Sequence, residues 1–176
     1  MSTWRDEGKA HSAVLVPVPE ADAAVGCWRR GLDPMATAGV PAHITLIVPW
    51  LAPEQIGDGE LARLQAVVTK TASFAFALRS VERFGRRVLW LAPDPAQPFL
   101  DLTLALAEEF NTPPWGGEFD EVVPHLTIAH SIGDAELAAT ATALGRDLPV
   151  VCWAAEVLVM VGDGTRWWEL ATVSLG

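Results

Sequence analysis

The chain has two cysteines, four histidines and little positive charge: 12 lysines and arginines stand against 22 aspartates and glutamates, for a net charge of −10. That balance argues against non-specific binding to long nucleic acid, which requires many phosphates to be neutralised at once. It leaves room for a small phosphorylated ligand held by a few local donors. Cys27 and Cys152 stand far apart with no CxxC spacing. They read as buried thiols of a protein kept in the reducing cytoplasm, not as a disulfide. No run of about 18 uncharged apolar residues occurs, so no membrane span is expected. The charged Met1–Lys9 segment is not followed by a signal-type apolar stretch. HExxH, Cys/His clusters and glycine-rich phosphate loops are also missing. This disfavours a zinc site and a P-loop or dinucleotide fold, and no metal or cofactor is expected.

What the sequence does contain is a repeat. Pro41-Ala-His-Ile-Thr-Leu-Ile47 and Val123-Pro-His-Leu-Thr-Ile-Ala129 each place a His-x-Thr step in an apolar, β-branched run just after a proline. The two histidines are 82 residues apart, a little under half the chain. With 12 threonines in 176 residues, composition alone puts a threonine two places after a given histidine roughly 7 % of the time. Two hits among four histidines, each with a matching proline, point to a duplicated unit. Each half then brings one imidazole and one hydroxyl to a shared site.

The 51 % hydrophobic content is ample for a core, and the length fits one domain over residues 1–176 with two lobes. Ser12–Pro19 reads as a strand, Glu20–Leu32 as a helix with acidic residues first and arginines last, and Asp33–Pro41 as loop. His43–Val48 is a strand and Pro53–Thr71 has helical spacing. Phe74–Val81 and Arg87–Ala92 are strands joined by a turn at Phe84-Gly85-Arg86. Pro98–Phe110 is a helix, although leucines at 100, 102, 104 and 106 blur its period. Asn111–Val123 is a Pro/Gly loop, His125–Ile132 a strand and Asp134–Leu144 a helix. Leu148–Val161 and Trp167–Leu175 are strands joined by a Gly162–Thr165 hairpin turn. The order reads as two βαβ-type halves of an α+β protein, with helices on the outer faces.

Residues at i and i+2 of a strand share a face. His43 and Thr45 are therefore neighbours, as are His125 and Thr127. If the two strands meet, the four groups line one groove. One imidazole then takes a proton from water while the other, protonated, donates to a leaving oxygen. The hydroxyls hold the non-bridging oxygens of a phosphodiester as charge builds. His130 lies an odd number of places from His125 and is expected to face away. His11 precedes the first strand and is expected to be exposed. Arg29-Arg30 and Arg83, Arg86 and Arg87 read either as solvated faces or as a basic rim around a phosphate site. Most of the eight tryptophans read as core; Trp115, in the Pro/Gly loop, is a candidate for stacking on a base.

The paired motifs resemble those of the two-histidine (2H) phosphoesterases, in particular the 2′-5′ RNA ligase and cyclic phosphodiesterase branch. The likeness runs from about Ser12 to Leu175. It includes Pro41–Pro49 as the first motif, Phe84–Leu91 as the central hairpin and Gly117–Ile128 as the approach to the second motif. The resemblance implies a bilobal α+β fold, with antiparallel sheets around a central cleft between pseudo-symmetric lobes. It implies a catalytic set of His43, Thr45, His125 and Thr127, no cofactor for hydrolysis, and action on 2′,3′-cyclic phosphates or 2′-5′ linkages. Phe84, Arg86, Arg87 and Trp115 are expected on the substrate. The acidic surface departs from what RNA-acting members would be expected to offer. It favours a nucleotide or short RNA end as partner, with neither long nucleic acid nor membrane. We assign His125 as base and His43 as acid, an order the symmetry of the motifs does not fix. The reverse, ligating direction would exchange the roles. A nucleotide-binding module without turnover and a purely structural protein remain as alternative readings.

Overall fold

The computed structural model describes residues 11–130 and 133–176. Its strands are β1 (His11–Pro17), β2 (His43–Ile47), β3 (Phe74–Phe84), β4 (Val88–Asp94), β5 (Leu126–His130), β6 (Val150–Ala154), β7 (Glu156–Gly162) and β8 (Trp167–Ser174). Its helices are α1 (Asp22–Leu32), α2 (Pro34–Thr37), α3 (Asp58–Val68), α4 (Gln97–Phe110) and α5 (Asp134–Leu144). The strands form two four-stranded sheets ordered β2-β1-β7-β8 and β5-β4-β3-β6, and every pairing is antiparallel. This is the two-sheet α+β architecture expected. The end of the predicted strand at Ser131-Ile132 and the Met1–Lys9 segment lie outside the described residues.

The lobes are not the two halves of the chain. Leu148–Val161, expected as one strand, breaks at Ala155. Val150–Ala154 is an edge strand beside β3, whereas Glu156–Gly162 pairs with β1 in the other sheet. The first sheet thus consists of the first two and last two strands of the chain. The sequence, apolar but for Glu156, hides two environments. β6 buries only alternate residues and exposes Val151 and Trp153. β7 is buried along nearly its whole length, as a central strand covered on both faces must be.

Helix α1 packs against β5 and α4 against β2, so each connecting helix lies on the motif strand of the other sheet. One contiguous core joins the sheets through Val14, Val16, Ile44 and Leu46 on one side and Leu89, Leu91, Leu126 and Ile128 on the other. The leucine alternation in α4 resolves once the helix forms. Phe99, Leu102, Thr103, Leu106 and Phe110 make the buried stripe at helical spacing, while Leu104 faces solvent. Asn111, at φ 50°, ends the helix in a left-handed cap. Asp33–Pro41, expected as loop, contains the short helix α2, whose first turn is capped by the Asp33 carboxylate accepting from Met35 N–H (3.0 Å).

Three further expectations are corrected. Cys27 is exposed on α1, and only Cys152 is buried, where burial pushes its thiol up to about 12. His11 is the first residue of β1 and half-buried. Arg29 belongs neither to a solvated face nor to a rim: it is buried and paired with Asp33. Among the described residues no helix is long and apolar enough to cross a membrane.

A second, smaller apolar cluster lies on the other face of the first sheet, where Leu15, Val40, Leu158 and Met160 pack with Trp167. It depends on Gly162, opposite Trp167 across the β7–β8 pair. A Cβ at Gly162 would lie 2.7 Å from the Trp167 ring, and that ring is held in place because Trp167 N–H donates to the Ala38 carbonyl (2.8 Å). Gly162→Ala is expected to cost about 1–3 kcal/mol through this overlap, measured as a lower denaturant midpoint with an unchanged slope.

Candidate active site

The two motif strands, β2 and β5, are edge strands of their sheets and pack beside each other. Both carry a β-bulge at the same place in the repeat. Leu15 pairs with Thr45 and Val14 with Ile47, leaving Leu46 without an opposite residue. Trp90 pairs with Thr127 and Leu89 with Ala129, leaving Ile128 without one. An extra residue reverses the side-chain alternation beyond it. The histidine and threonine of each motif therefore share a face with the residue three places after the threonine: Val48 in one lobe and His130 in the other. His130, expected to face away on strict alternation, faces the site.

His43, Thr45, His125 and Thr127 line one cleft of about 140 Å³, with Val48, His130, Asp33 and Trp115 around them. Its floor is the apolar face of the first sheet, from Ala13, Leu15, Val40 and Trp167. Among the described residues no lysine or arginine lines it. Among the described residues no group of three or more His, Cys, Asp or Glu side chains is placed to hold a metal ion.

Both imidazoles are oriented in the same way. His43 Nδ1 lies 2.8 Å from the Pro41 carbonyl and His125 Nδ1 lies 2.7 Å from the Val123 carbonyl. A carbonyl only accepts, so each Nδ1 carries the proton and each neutral ring presents the lone pair of Nε2. His43 Nε2 accepts from the Thr45 hydroxyl at 3.1 Å. Among the described residues His125 Nε2 has no hydrogen-bond partner. Burial is the main cause that pushes His43 down, to about 4; the Pro41 carbonyl opposes it, and the nearby Arg29 charge adds to it. Burial likewise lowers His125, against the Val123 carbonyl and with help from His130. Each ring is thus held neutral.

Beneath His43 lies the buried Arg29–Asp33 pair. Arg29 donates through Nε (3.1 Å) and Nη2 (2.7 Å) to one Asp33 oxygen, and Nη2 also reaches the Val40 carbonyl. Through these bonds and the Asp33 cap on α2 the pair fixes the turn that carries Val40 and Pro41 up to the first motif.

A second cavity of about 230 Å³ opens beside the cleft, lined by Phe84, Val88, Trp115, Phe119, Glu121, Val123, His125 and His130. Phe84 stacks on Trp90 (4.7 Å, 21°) and meets His125 edge-on (4.9 Å). Trp115 lies nearly parallel to His125 (6.1 Å, 26°). Its backbone is left-handed at φ 50°, followed by Gly116 and Gly117 at φ 64° and 76°. A non-glycine residue is strained there, and the strain accompanies the projection of an indole between the two cavities.

The structure thus brings together His43, Thr45, His125, Thr127, Phe84 and Trp115. Arg86 and Arg87 stand elsewhere. Arg86 is 83 % exposed and paired with the Asp134 carboxylate at the start of α5, and neither arginine lines either cavity. His130, which the sequence reading turns away from the site, and Phe119 and Glu121, which it does not single out, also line the cavities. For His130 the signal was the repeat itself, since it is the counterpart of Val48; Phe119 and Glu121 lie in the segment leading to the second motif.

Fold and cleft together define a class: α+β proteins in which two related units each present a His-x-Thr pair to one cleft. The family model of the 2′-5′ RNA ligase superfamily matches residues 17–166, and the chain belongs to this superfamily. Among solved structures it is similar to Escherichia coli LigT in apo form, at 18 % identity and a TM-score of 0.60, covering 97 % of this chain and 99 % of that one. It is also similar to LigT complexed with 3′-AMP (20 %, 0.58, 94 % and 98 %) and to TT0787 of Thermus thermophilus (19 %, 0.57, 93 % and 97 %). At such identities the likeness establishes the fold. No curated protein matches the chain in sequence.

The lowered histidines make stability depend on pH. An unfolded histidine takes up its proton near 6.5 and His43 in the fold only near 4, so between these values the unfolded chain binds more protons. Stability is then fully present above about pH 6.5 and falls as pH drops towards 4, by about 1–3 kcal/mol. His43→Gln should flatten this slope, measured by urea unfolding between pH 7 and pH 5.

Proposed function

We propose that the protein is a metal-independent cyclic phosphodiesterase, which opens 2′,3′-cyclic phosphates of nucleotides or short RNA ends by two-histidine acid–base catalysis. The observation that carries this reading is the pair of Nε2 atoms, each fixed by a carbonyl behind its ring, facing one cleft with two threonine hydroxyls. The likeness to LigT complexed with 3′-AMP supports a nucleotide ligand.

His125 is the base, because its Nε2 lone pair is unoccupied, whereas that of His43 accepts from Thr45. Water attacks phosphorus as His125 takes its proton. The bond from phosphorus to one ribose oxygen breaks, and that oxygen takes a proton from His43 in its imidazolium form. Protonation of His43 at Nε2 ends the contact in which Thr45 donates to that atom, and Nε2–H is directed at the leaving oxygen. The Thr45 hydroxyl proton is then free for a non-bridging oxygen, as is that of Thr127. With a ribose 5′-hydroxyl in place of water the same steps would join ends: that oxygen gives its proton to His125 and bonds phosphorus, and the 3′ oxygen leaves with the proton from His43, so that a 2′-5′ linkage remains.

Neither cavity alone reaches the roughly 300 Å³ of a typical ligand site, but they share Trp115, His125 and His130 as a common wall. The phosphate takes the cleft and the base takes the aromatic cavity between Phe84 and Trp115.

In EDTA, the wild type should convert 2′,3′-cyclic mononucleotides to monoesters, with His43→Ala and His125→Ala each slower by about a hundredfold or more. Trp115→Ala should raise KM about tenfold. Nucleotide binding without product in the wild type would leave a binding module in place of an enzyme. Because no fixed cation lines the cleft, charge to meet the phosphate comes from protonating a histidine, whose affinity for protons the anion raises. Nucleotide monophosphate affinity should therefore strengthen as pH falls from 8 to 5, with net proton uptake read by calorimetry in buffers of different ionisation enthalpy.

A further inference from the structure

The aromatic cavity contains one group whose chemistry stacking does not use. Glu121 lines it together with Phe84 and Trp115, and among the described residues its carboxylate has no hydrogen-bond or ion-pair partner. His43, Thr45 and Thr127 line only the cleft, His125 lies in the wall the two cavities share, and Glu121 lines only the aromatic cavity. A carboxylate next to the phosphate would repel it. In the apolar cavity that takes the base it can instead read the edge of the base.

We infer that Glu121 makes the cavity selective for guanine. This rests on the proposed two-histidine reading, with the phosphate in the cleft and the base between the aromatics. An ionised carboxylate only accepts, and its two oxygens match two parallel N–H donors. Guanine is the one common base that offers such a pair, N1–H and N2–H, side by side on its Watson–Crick edge. Adenine and cytosine each offer a single amino group flanked by a ring-nitrogen acceptor. Uracil offers one N–H between two carbonyls, so both flanking lone pairs oppose the carboxylate. Unpaired bases expose this edge, which is where single-stranded ends and mononucleotides are read. The rest of the cavity lining (Val88, Phe119 and Val123 beside the aromatics) supplies apolar contact that any base can use, so discrimination falls on Glu121.

The test measures binding and turnover side by side. Calorimetry gives the affinities of 3′-GMP and 3′-UMP, and initial rates give kcat/KM for the guanosine and uridine 2′,3′-cyclic phosphates. These are measured for wild type, Glu121→Ala and Glu121→Gln; the site is exposed, so both variants should fold. The wild type should prefer guanosine roughly ten- to hundredfold, the range of two hydrogen bonds to a charged group. Glu121→Ala should collapse the guanosine-to-uridine ratio to within about threefold on the same scale. Glu121→Gln, offering one acceptor and one donor, should shift preference towards bases with a donor beside an acceptor. Equal use of both nucleotides by the wild type, or a preference that survives Glu121→Ala, overturns guanine selectivity and leaves the two-histidine reading standing. If the wild type neither binds nor turns over any of them, both readings fall.

Discussion

Every property of the site follows from one contact: the edge strand β2 of the first sheet packs beside the edge strand β5 of the second. Edge strands present unpaired backbone groups and usually need protection. Here each lies close to the other and is covered by the connecting helix of the opposite lobe, α4 on β2 and α1 on β5. Because the contact joins the two copies of one motif, it places both imidazoles and both hydroxyls on a single cleft. The bulges at Leu46 and Ile128 add to this, since they turn the residue after each bulged segment towards the same cleft.

The electrostatic character of the cleft is set by what surrounds it. Its floor is apolar, the nearby Arg29 is bound to Asp33, and among the described residues no lysine or arginine lines it. A site with fixed cations would attract any polyanion. This one acquires positive charge only when an imidazole is protonated, and burial opposes that until an anion arrives. The net charge of −10 works in the same direction by disfavouring long RNA at the surface. Selectivity for a small ligand is therefore consistent at two scales, the bulk charge and the local lining.

Much of this was legible in the sequence because the motif residues act locally. The His-x-Thr step fixes its own face, and the carbonyl two residues back fixes the ring, so the composition of a short segment carries the geometry. The helices were legible from periodicity, even in α4 once the stripe from Phe99 to Phe110 is followed. What was hidden depends on partners distant in sequence. The apolar run Leu148–Val161 carries no mark of the break at Ala155, since an alternating edge strand and a fully covered central strand can share one composition. The bulges leave no residue signature at Leu46 or Ile128, so parity arguments failed at His130. Arg29 looked solvated because its partner's burial is a tertiary fact, and Cys27 was misread because a small apolar residue fits an exposed helix face equally well. Arg86 and Arg87 were placed near the substrate from turn position alone, whereas Asp134, at the start of α5, gives Arg86 a nearer opposite charge.

The duplication also explains why the two histidines need not be equivalent. The motifs are matched residue for residue in their hydrogen bonds to the carbonyl two places back, so the intrinsic chemistry of the rings is the same. Their neighbours are not. Val48 gives one lobe a methyl-bearing wall where His130 gives the other an imidazole. His43 lies over a buried ion pair and accepts from Thr45; His125 lies under Trp115 and against Phe84, with Nε2 unoccupied. A symmetric cleft would bind a cyclic phosphate in either sense and give no preferred leaving oxygen. On the proposed reading, the aromatic wall on only one side breaks that degeneracy by drawing the base to the second lobe. Orientation of the base then determines which ribose oxygen faces His43. On that reading the position of the nucleobase and the unoccupied Nε2 of His125 distinguish base from acid in the same sense.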